Sequence, residues 1–298
     1  MNYPRISIVT PSYNQGQFIE ATIQSVLSQN YPNLECIIID GGSTDKSVEI
    51  IQKYADYLHF WCSEPDGGQY AAINKGFRHT TGEIMAWLNS DDMYFPWSFK
   101  TIASIMNELP TVEWLTTLNQ GFWDWQGFCG DVCKAPGYSK EAFLDGCYLA
   151  SSSNAIGWIQ QESTFWRRGL WEKIGGYIST EFKLAGDFDL WSRFYSHTDL
   201  YGISSLLGGF RSQNTQRSRQ IEEYISEAQQ SLEQIRAVSN WKPNLQREAA
   251  LHLKLHKIPK VKGFVTNLQS FNYQGKRVVR KLADSPEGYW TAEDHRFT

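Results

Sequence analysis

The sequence predicts an α/β fold built on a mostly parallel central sheet flanked by helices, and two observations carry that expectation. Short apolar runs in the first third of the chain alternate with segments whose apolar residues recur every three or four positions. This is the pattern of parallel strands joined by crossover helices. Each apolar run also ends in a polar cluster: Pro11 to Asn14, Asp40 to Asp45, Asp66 to Gln69, and Ser90 to Asp92. Ligands of open α/β sheets bind at the carboxyl ends of the strands, where all four clusters fall.

The elements follow in order. Ile6 to Thr10 reads as a buried strand, closed by the turn Pro11-Ser12-Tyr13-Asn14-Gln15-Gly16, and Phe18, Ile19, Ile23, Val26 and Leu27 have helical spacing. Leu34 to Ile39 is a second strand ending at Asp40; Gly41 to Asp45 supplies a turn and helix caps before Val48, Ile51 and Tyr54. Leu58 to Cys62 is a third strand, Ala71 to Phe77 the next helix, and Ile84 to Leu88 the strand that delivers Asp91 and Asp92. From about Asn119 to Trp166 the pattern turns irregular and aromatic, with rings suited to stacking on sugars or to packing a second layer onto the sheet. Leu170 to Tyr177 reads as a short helix with a glycine stop, and Gly186-Asp187-Phe188-Asp189-Leu190-Trp191 opens another helix. Leu200 to Phe210 resembles a closing strand, and Ile221 to Val238 forms an amphipathic helix. The expected division is a domain over 1–215, with halves of about 1–95 and 96–215, and a helical, basic extension over 216–298.

Composition narrows the function. With 298 residues, 41% of them hydrophobic, the chain can bury a large core. A net charge of -4 argues against a dedicated nucleic-acid binder. Positive charge gathers late, in Arg247, Lys254, Lys257, Lys260, Lys262, Lys276, Arg277, Arg280 and Lys281 against Glu248 and Asp284. Such a stretch suits either a solvated face, the favoured reading, or peripheral contact with an anionic membrane. Cys36 and Cys62 sit in apolar runs as small hydrophobes, and Cys129, Cys133 and Cys147 lack a zinc-finger partner set. No apolar run is long enough to span a membrane and no signal-peptide core opens the chain, so a cytoplasmic setting is expected.

Asp91 and Asp92 are the most informative pair. Adjacent carboxylates at a strand end repel one another and cost desolvation. A hard divalent cation relieves that repulsion and can bridge to a phosphate, whereas a solvated turn capping the helix near Pro96 is the structural alternative.

Ile8-Val9-Thr10-Pro11-Ser12-Tyr13-Asn14, Ile39-Asp40-Gly41-Gly42-Ser43-Thr44-Asp45, Asn89-Ser90-Asp91-Asp92, Gln161 to Gly176, and Ala185-Gly186-Asp187-Phe188-Asp189-Leu190-Trp191 resemble, in order and spacing, the family 2 glycosyltransferases with the GT-A fold. The resemblance covers about residues 5 to 215. It implies an inverting, metal-dependent transfer from a nucleotide diphosphate sugar, by family habit a UDP-sugar, to a glycan or lipid-linked acceptor in surface polysaccharide synthesis. Pro11 and Tyr13 would line the base pocket and Asp40 would accept from the base imide, against a structural reading in which Asp40 bonds its own turn. Asp66, Gly68 and Gln69 would meet the diphosphate, with a plain tight turn as the alternative. Asp92 would hold Mn²⁺ or Mg²⁺, and Asp91 the ribose or the same metal. Asp187 would be the catalytic base, a role compatible with capping its helix. Gln213 stands where the family often has a histidine, which weakens the third metal ligand, and Arg217 and Arg219 lie nearby as diphosphate or solvent-facing cations.

Two enzyme classes and one binding class compete. A dinucleotide oxidoreductase needs a glycine-rich fingerprint after the first strand, and Pro11 to Gly16 has one glycine. A sugar nucleotidyltransferase needs a basic glycine-rich loop there. A non-catalytic carbohydrate or nucleotide-sugar binder would have no need of the base Asp187.

Overall fold

The computed structural model describes residues 3–152, 154–213, 220–253, 255, 258, 271–282 and 288–298. Arg217, Arg219, Lys254, Lys257, Lys260, Lys262 and Asp284 lie outside the described residues.

In chain order the first part consists of β1 (Ile6–Ser12), α1 (Ile19–Leu27), β2 (Leu34–Asp40), α2 (Ser47–Lys53), β3 (Phe60–Ser63), α3 (Gln69–Phe77), β4 (Ile84–Trp87), β5 (Met93–Tyr94) and α4 (Ser98–Glu108). The aromatic region contributes β6 (Trp114–Thr117), β7 (Asn119–Trp123), β8 (Cys129–Lys134), α5 (Lys140–Leu144), β9 (Phe165–Arg167) and α6 (Arg168–Lys173). Then come α7 (Gly186–Tyr195), β10 (Tyr201–Ile203), β11 (Gly208–Arg211), α8 (Ile221–Val238), α9 (Leu245–His252), β12 (Tyr273–Lys281) and β13 (Tyr289–Phe297).

These strands build a nine-stranded sheet ordered β13-β12-β10-β6-β9-β4-β1-β2-β3 and a four-stranded sheet ordered β5-β11-β7-β8. The pairs joining β4, β1, β2 and β3 are all parallel, and so are β6 with β10 and β10 with β12. The short β9 runs antiparallel between β4 and β6. The run Leu200 to Phe210, expected as one strand, breaks in two: β10 joins the large sheet and β11 the small one. Gly208 permits the divergence, because a Cβ there would lie 2.1 Å from the Glu162 carbonyl oxygen.

Most of the aromatic segment is core. The Trp87 and Trp191 rings stack at 5.9 Å, Trp114 stacks on Trp191 at 5.5 Å, and Trp166 meets Trp87 edge-on at 5.7 Å. Such pairs add roughly 0.5–1.5 kcal/mol each beyond the area they bury. They bolt β4, β6, β9 and α7 together, and with them the segments carrying Asp91 and Asp187. Trp125, Phe128 and Trp158 remain about half exposed or more.

The expectation of a helical extension over 216–298 is corrected. It holds for α8 and α9, but β12 and β13 form a hairpin that extends the central sheet, with Ile203 opposite Val278. The density of Lys and Arg in Tyr273 to Lys281 resembles a solvated helical face. Cross-strand acids explain it instead: Lys276 pairs with Asp294 at 2.6 Å, while Arg277 and Lys281 both pair with Glu293. Arg280 lies over the Trp290 ring, and the buried Arg247 bonds Glu141 and Asp145. These basic residues therefore secure the extension to the sheet and to α5. Among the described residues no helix is long and apolar enough to cross a membrane.

Candidate active site

Parallel register assembles the first half of the site. Ser12 pairs with Asp40 and Asp40 with Ser63, so the ends of β1, β2 and β3 lie side by side. Pro11 is buried in the floor, and the Tyr13 ring stands 63% exposed above it. The Asp40 carboxylate is fully buried and accepts from Gly42 N, Ser43 N, and the Ser43 and Ser63 hydroxyls, at 2.6 to 3.1 Å. A carboxylate has about four acceptor sites, so its own turn and the β3 residue Ser63 fill them. A base imide would have to displace a serine hydroxyl, and the turn role is the one occupied here. Asp66 is exposed and lies against the same turn: a Cβ on Gly41 would sit 3.1 Å from its Oδ2. Its Oδ1 accepts from Gly68 N at 2.7 Å. Gly68 has φ +102°, which L side chains rarely adopt, and it leaves open space at the start of α3.

Gln69 faces inward along a relay: its Nε2 donates to Asn89 Oδ1 at 2.7 Å, and Asn89 Nδ2 donates to Asp92 Oδ2 and Gln161 Oε1 at 3.2 Å each. The relay ends at the paired carboxylates. Asp92 is buried, with Oδ1 accepting from Arg211 N at 2.8 Å and Oδ2 from Asn89. Asp91 is partly accessible, and its Oδ2 accepts from Gln213 Nε2. Asp92 is committed to internal bonds, and Asp91 is the carboxylate that reaches the rim. Burial raises both carboxyls, Asp92 well above its ordinary value with Asp91 and Glu162 adding to the effect.

Glu162, which the pattern along the chain does not single out, completes this cluster. It lies on the short turn between Gln161 and Ser163, buried, with Oε1 lacking a hydrogen-bond partner among the described residues. Burial, with Asp91 and Asp187 contributing, pushes its carboxyl up to about 8. The signal available in the sequence was a Gln-Glu pair separated only by Ser163 and Thr164 from the apolar Phe165-Trp166. Arg211, two residues before Gln213, is a hub that spacing alone does not reveal. Its Nε donates to Asp91 O at 2.6 Å, its Nη1 to Trp125 O at 3.0 Å, and its guanidinium covers the Phe18 ring at 5.0 Å.

Asp187 is carried by the first turn of α7. Burial pushes its carboxyl up to about 6, and Oδ1 is buried without a hydrogen-bond partner among the described residues. Asp189, two residues on, turns away to bond Arg193 at 3.0 Å. A cavity of about 270 Å³ beside Asp189 and Arg193 lies between α7 and α8, on the side of α7 away from the rim.

Asp91 and Asp92 are the carboxylates that would hold a divalent cation of the Mg²⁺ or Mn²⁺ type. Asp91, Asp92 and Glu162 bring three carboxyls into a poorly solvated place, where burial raises all three and Glu162 Oε1 has no hydrogen-bond partner among the described residues. Among the described residues no three carboxylate, imidazole or thiol side chains converge to ligate an ion alone.

Residues 7–120 match the model of glycosyl transferase family 2. An uncharacterized glycosyltransferase of Rickettsia typhi is 28% identical over 237 residues, 74% of this chain and 69% of that protein. In fold the chain is similar to S. aureus TarS 1-349 in complex with UDP-GlcNAc, with a TM-score of 0.62 at 17% identity, covering 89% of this chain and 76% of that one. It is also similar to the mannosyltransferase PcManGT from Pyrobaculum calidifontis in complex with GDP-Man and Mn2+, with a TM-score of 0.52 at 17% identity over 89% of this chain and 84% of that one. Over residues 7–120 the chain thus matches glycosyl transferase family 2, and its fold is the GT-A fold.

Proposed function

We propose that the protein transfers a sugar from a nucleoside diphosphate sugar, a UDP-sugar first among them, to a hydroxyl of a glycan or lipid-linked glycan, with inversion at the anomeric carbon. What supports this reading is that Asp91, beyond the end of β4, and Asp187, on α7, each have a carboxyl raised by burial and each add to the raised carboxyl of the buried Glu162. One carboxylate is thereby available on the donor side and another on the acceptor side.

In this reading the base lies over Pro11 and beside Tyr13, and the diphosphate crosses the open backbone at Gly68 and the start of α3. Asp91 faces the diphosphate, with Gln213 as its neutral neighbour and Asp92 as its buried support. A bound Mn²⁺ or Mg²⁺ would offset charge on the departing diphosphate. The Asp187 carboxylate accepts the acceptor hydroxyl proton as that oxygen bonds to the anomeric carbon. The bond from the anomeric carbon to the diphosphate breaks on the opposite face, and its electron pair leaves with the nucleoside diphosphate. Trp125 and Phe128, exposed on the β7–β8 hairpin, offer apolar faces to acceptor sugar rings.

The test is release of UDP from UDP-GlcNAc with Mn²⁺, with and without glycan acceptors, by the wild type and Asp187→Asn. A loss of about 10²–10⁴-fold in Asp187→Asn supports the assignment. Wild-type turnover in the variant removes the base, and donor binding without any turnover favours a non-catalytic binder.

A further inference from the structure

The segment leading into Asp187 is gripped from two sides by elements outside the loop itself. On α8 the Glu227 carboxylate accepts three successive backbone N–H groups, from Lys183 at 2.9 Å, Leu184 at 2.8 Å and Ala185 at 2.9 Å. On α3 the Tyr70 hydroxyl donates to Leu184 O at 2.6 Å and accepts from Gly186 N at 3.0 Å. One α8 turn before Glu227, Tyr224 directs its hydroxyl at the Asp187 carboxyl. Residues three apart share a helix face, so Tyr224 and Glu227 act on the same segment. That face continues through Ala228, Ser231, Leu232 and Ile235, which are buried; Ser231 Oγ lies 3.1 Å from Ser192 Oγ on α7.

We propose that α8 is a brace for the catalytic base, with Glu227 fixing the 183–185 backbone and Tyr224 fixing the Asp187 carboxylate as positioning residues. This rests on the assignment of Asp187 as the base. A carboxylate commits its acceptors to three consecutive N–H groups only where it holds a loop in one shape, because those donors would otherwise face water. Placing α8 on the loop keeps Asp187 in register with the acceptor while leaving the donor rim untouched. The groups facing Asp187 are Tyr224 and Glu227 from α8 and Glu162 from the 161–163 turn, with Lys183 beside Glu227 and Tyr70 beside Tyr224. The Tyr224 hydroxyl favours the charged carboxylate, and the Glu227 charge opposes it.

The experiment compares the full chain with Tyr224→Phe, Glu227→Ala and Asp187→Asn. It reads the carboxyl ¹³C titration of Asp187, assigned by its absence in Asp187→Asn, together with UDP release from UDP-GlcNAc and Mn²⁺ across pH. The Asp187 midpoint is expected to rise by about one unit in Tyr224→Phe, the size of one lost charge-assisted hydrogen bond, and to fall in Glu227→Ala. In Glu227→Ala, kcat falls about 10- to 100-fold while KM for UDP-GlcNAc stays within about twofold, because a base displaced by an ångström costs about that much. An unchanged midpoint in either folded variant overturns the brace, whatever the turnover. Wild-type turnover in Asp187→Asn instead removes the base assignment, while the two midpoints still decide whether α8 holds that carboxyl.

Discussion

Gly186 lies flat against the ring of Tyr70, and a Cβ at position 186 would sit 2.7 Å from the ring carbons. The ring is not free to swing, because its hydroxyl donates to Leu184 O and accepts from Gly186 N. Gly186→Ala is therefore expected to push Asp187 off its position, with an overpacking cost of about 1–3 kcal/mol. The double variant Gly186→Ala/Tyr70→Ala opens the space but removes both bonds. Donor turnover and melting temperature of the single variant, measured together, check this: activity should fall while the fold persists.

Asp187 sets an acid limb. A base must be deprotonated to work, and burial pushes this carboxyl up to about 6. Turnover is expected to fall about tenfold per pH unit below about 6 and to level off above it. A kcat profile from pH 4.5 to 8.5 that stays flat would remove Asp187 from the rate-limiting proton transfer.

Glu162 sets a stability limb with the opposite dependence. Its carboxyl is raised to about 8 in the fold against 4.5 for the free side chain, so the folded chain holds a proton that the unfolded chain releases. The stability this gives is fully present below about 4.5 and is lost as pH rises toward about 8. Glu162→Gln should therefore raise the melting temperature more at pH 8.5 than at pH 5, by on the order of 1–3 kcal/mol in stability. Differential scanning calorimetry at the two pH values reads this directly, and equal gains would contradict it.

Gln213 donates to the Asp91 carboxylate from a position at which an imidazole would present a better metal ligand. Gln213→His is expected to tighten Mn²⁺ binding about tenfold in the presence of UDP, and Gln213→Ala to leave it unchanged or weaker. Isothermal titration of Mn²⁺ into the three proteins decides the matter. Equal affinities would detach position 213 from the ion.

Much of the first half was legible along the chain. Period-two and helical spacings report local burial, and a parallel βαβ unit converts that local pattern into strand order almost by itself. Hence β1 to β4 and their polar ends fall close to where the apolar runs end. The 273–281 strand escaped, because its Lys and Arg residues are paired with acids on a neighbouring strand, and such cross-strand pairs have no signature along one segment. Leu200 to Phe210 escaped in part, since an apolar run says that a segment is buried but not in which sheet.

The sequence by itself determined the fold class, the rim of polar clusters and the candidate carboxylates, because each depends on residue types at short spacing. Only the tertiary structure decided which neighbours each of those carboxylates has. Asp92 bonds Arg211 N and Asn89 while Asp91 is partly accessible, Asp40 bonds Gly42, Ser43 and Ser63, and Glu162 joins the cluster from a distant segment. Accessibility and desolvation depend on which groups from other segments occupy the same few ångströms, and those neighbours are set by packing.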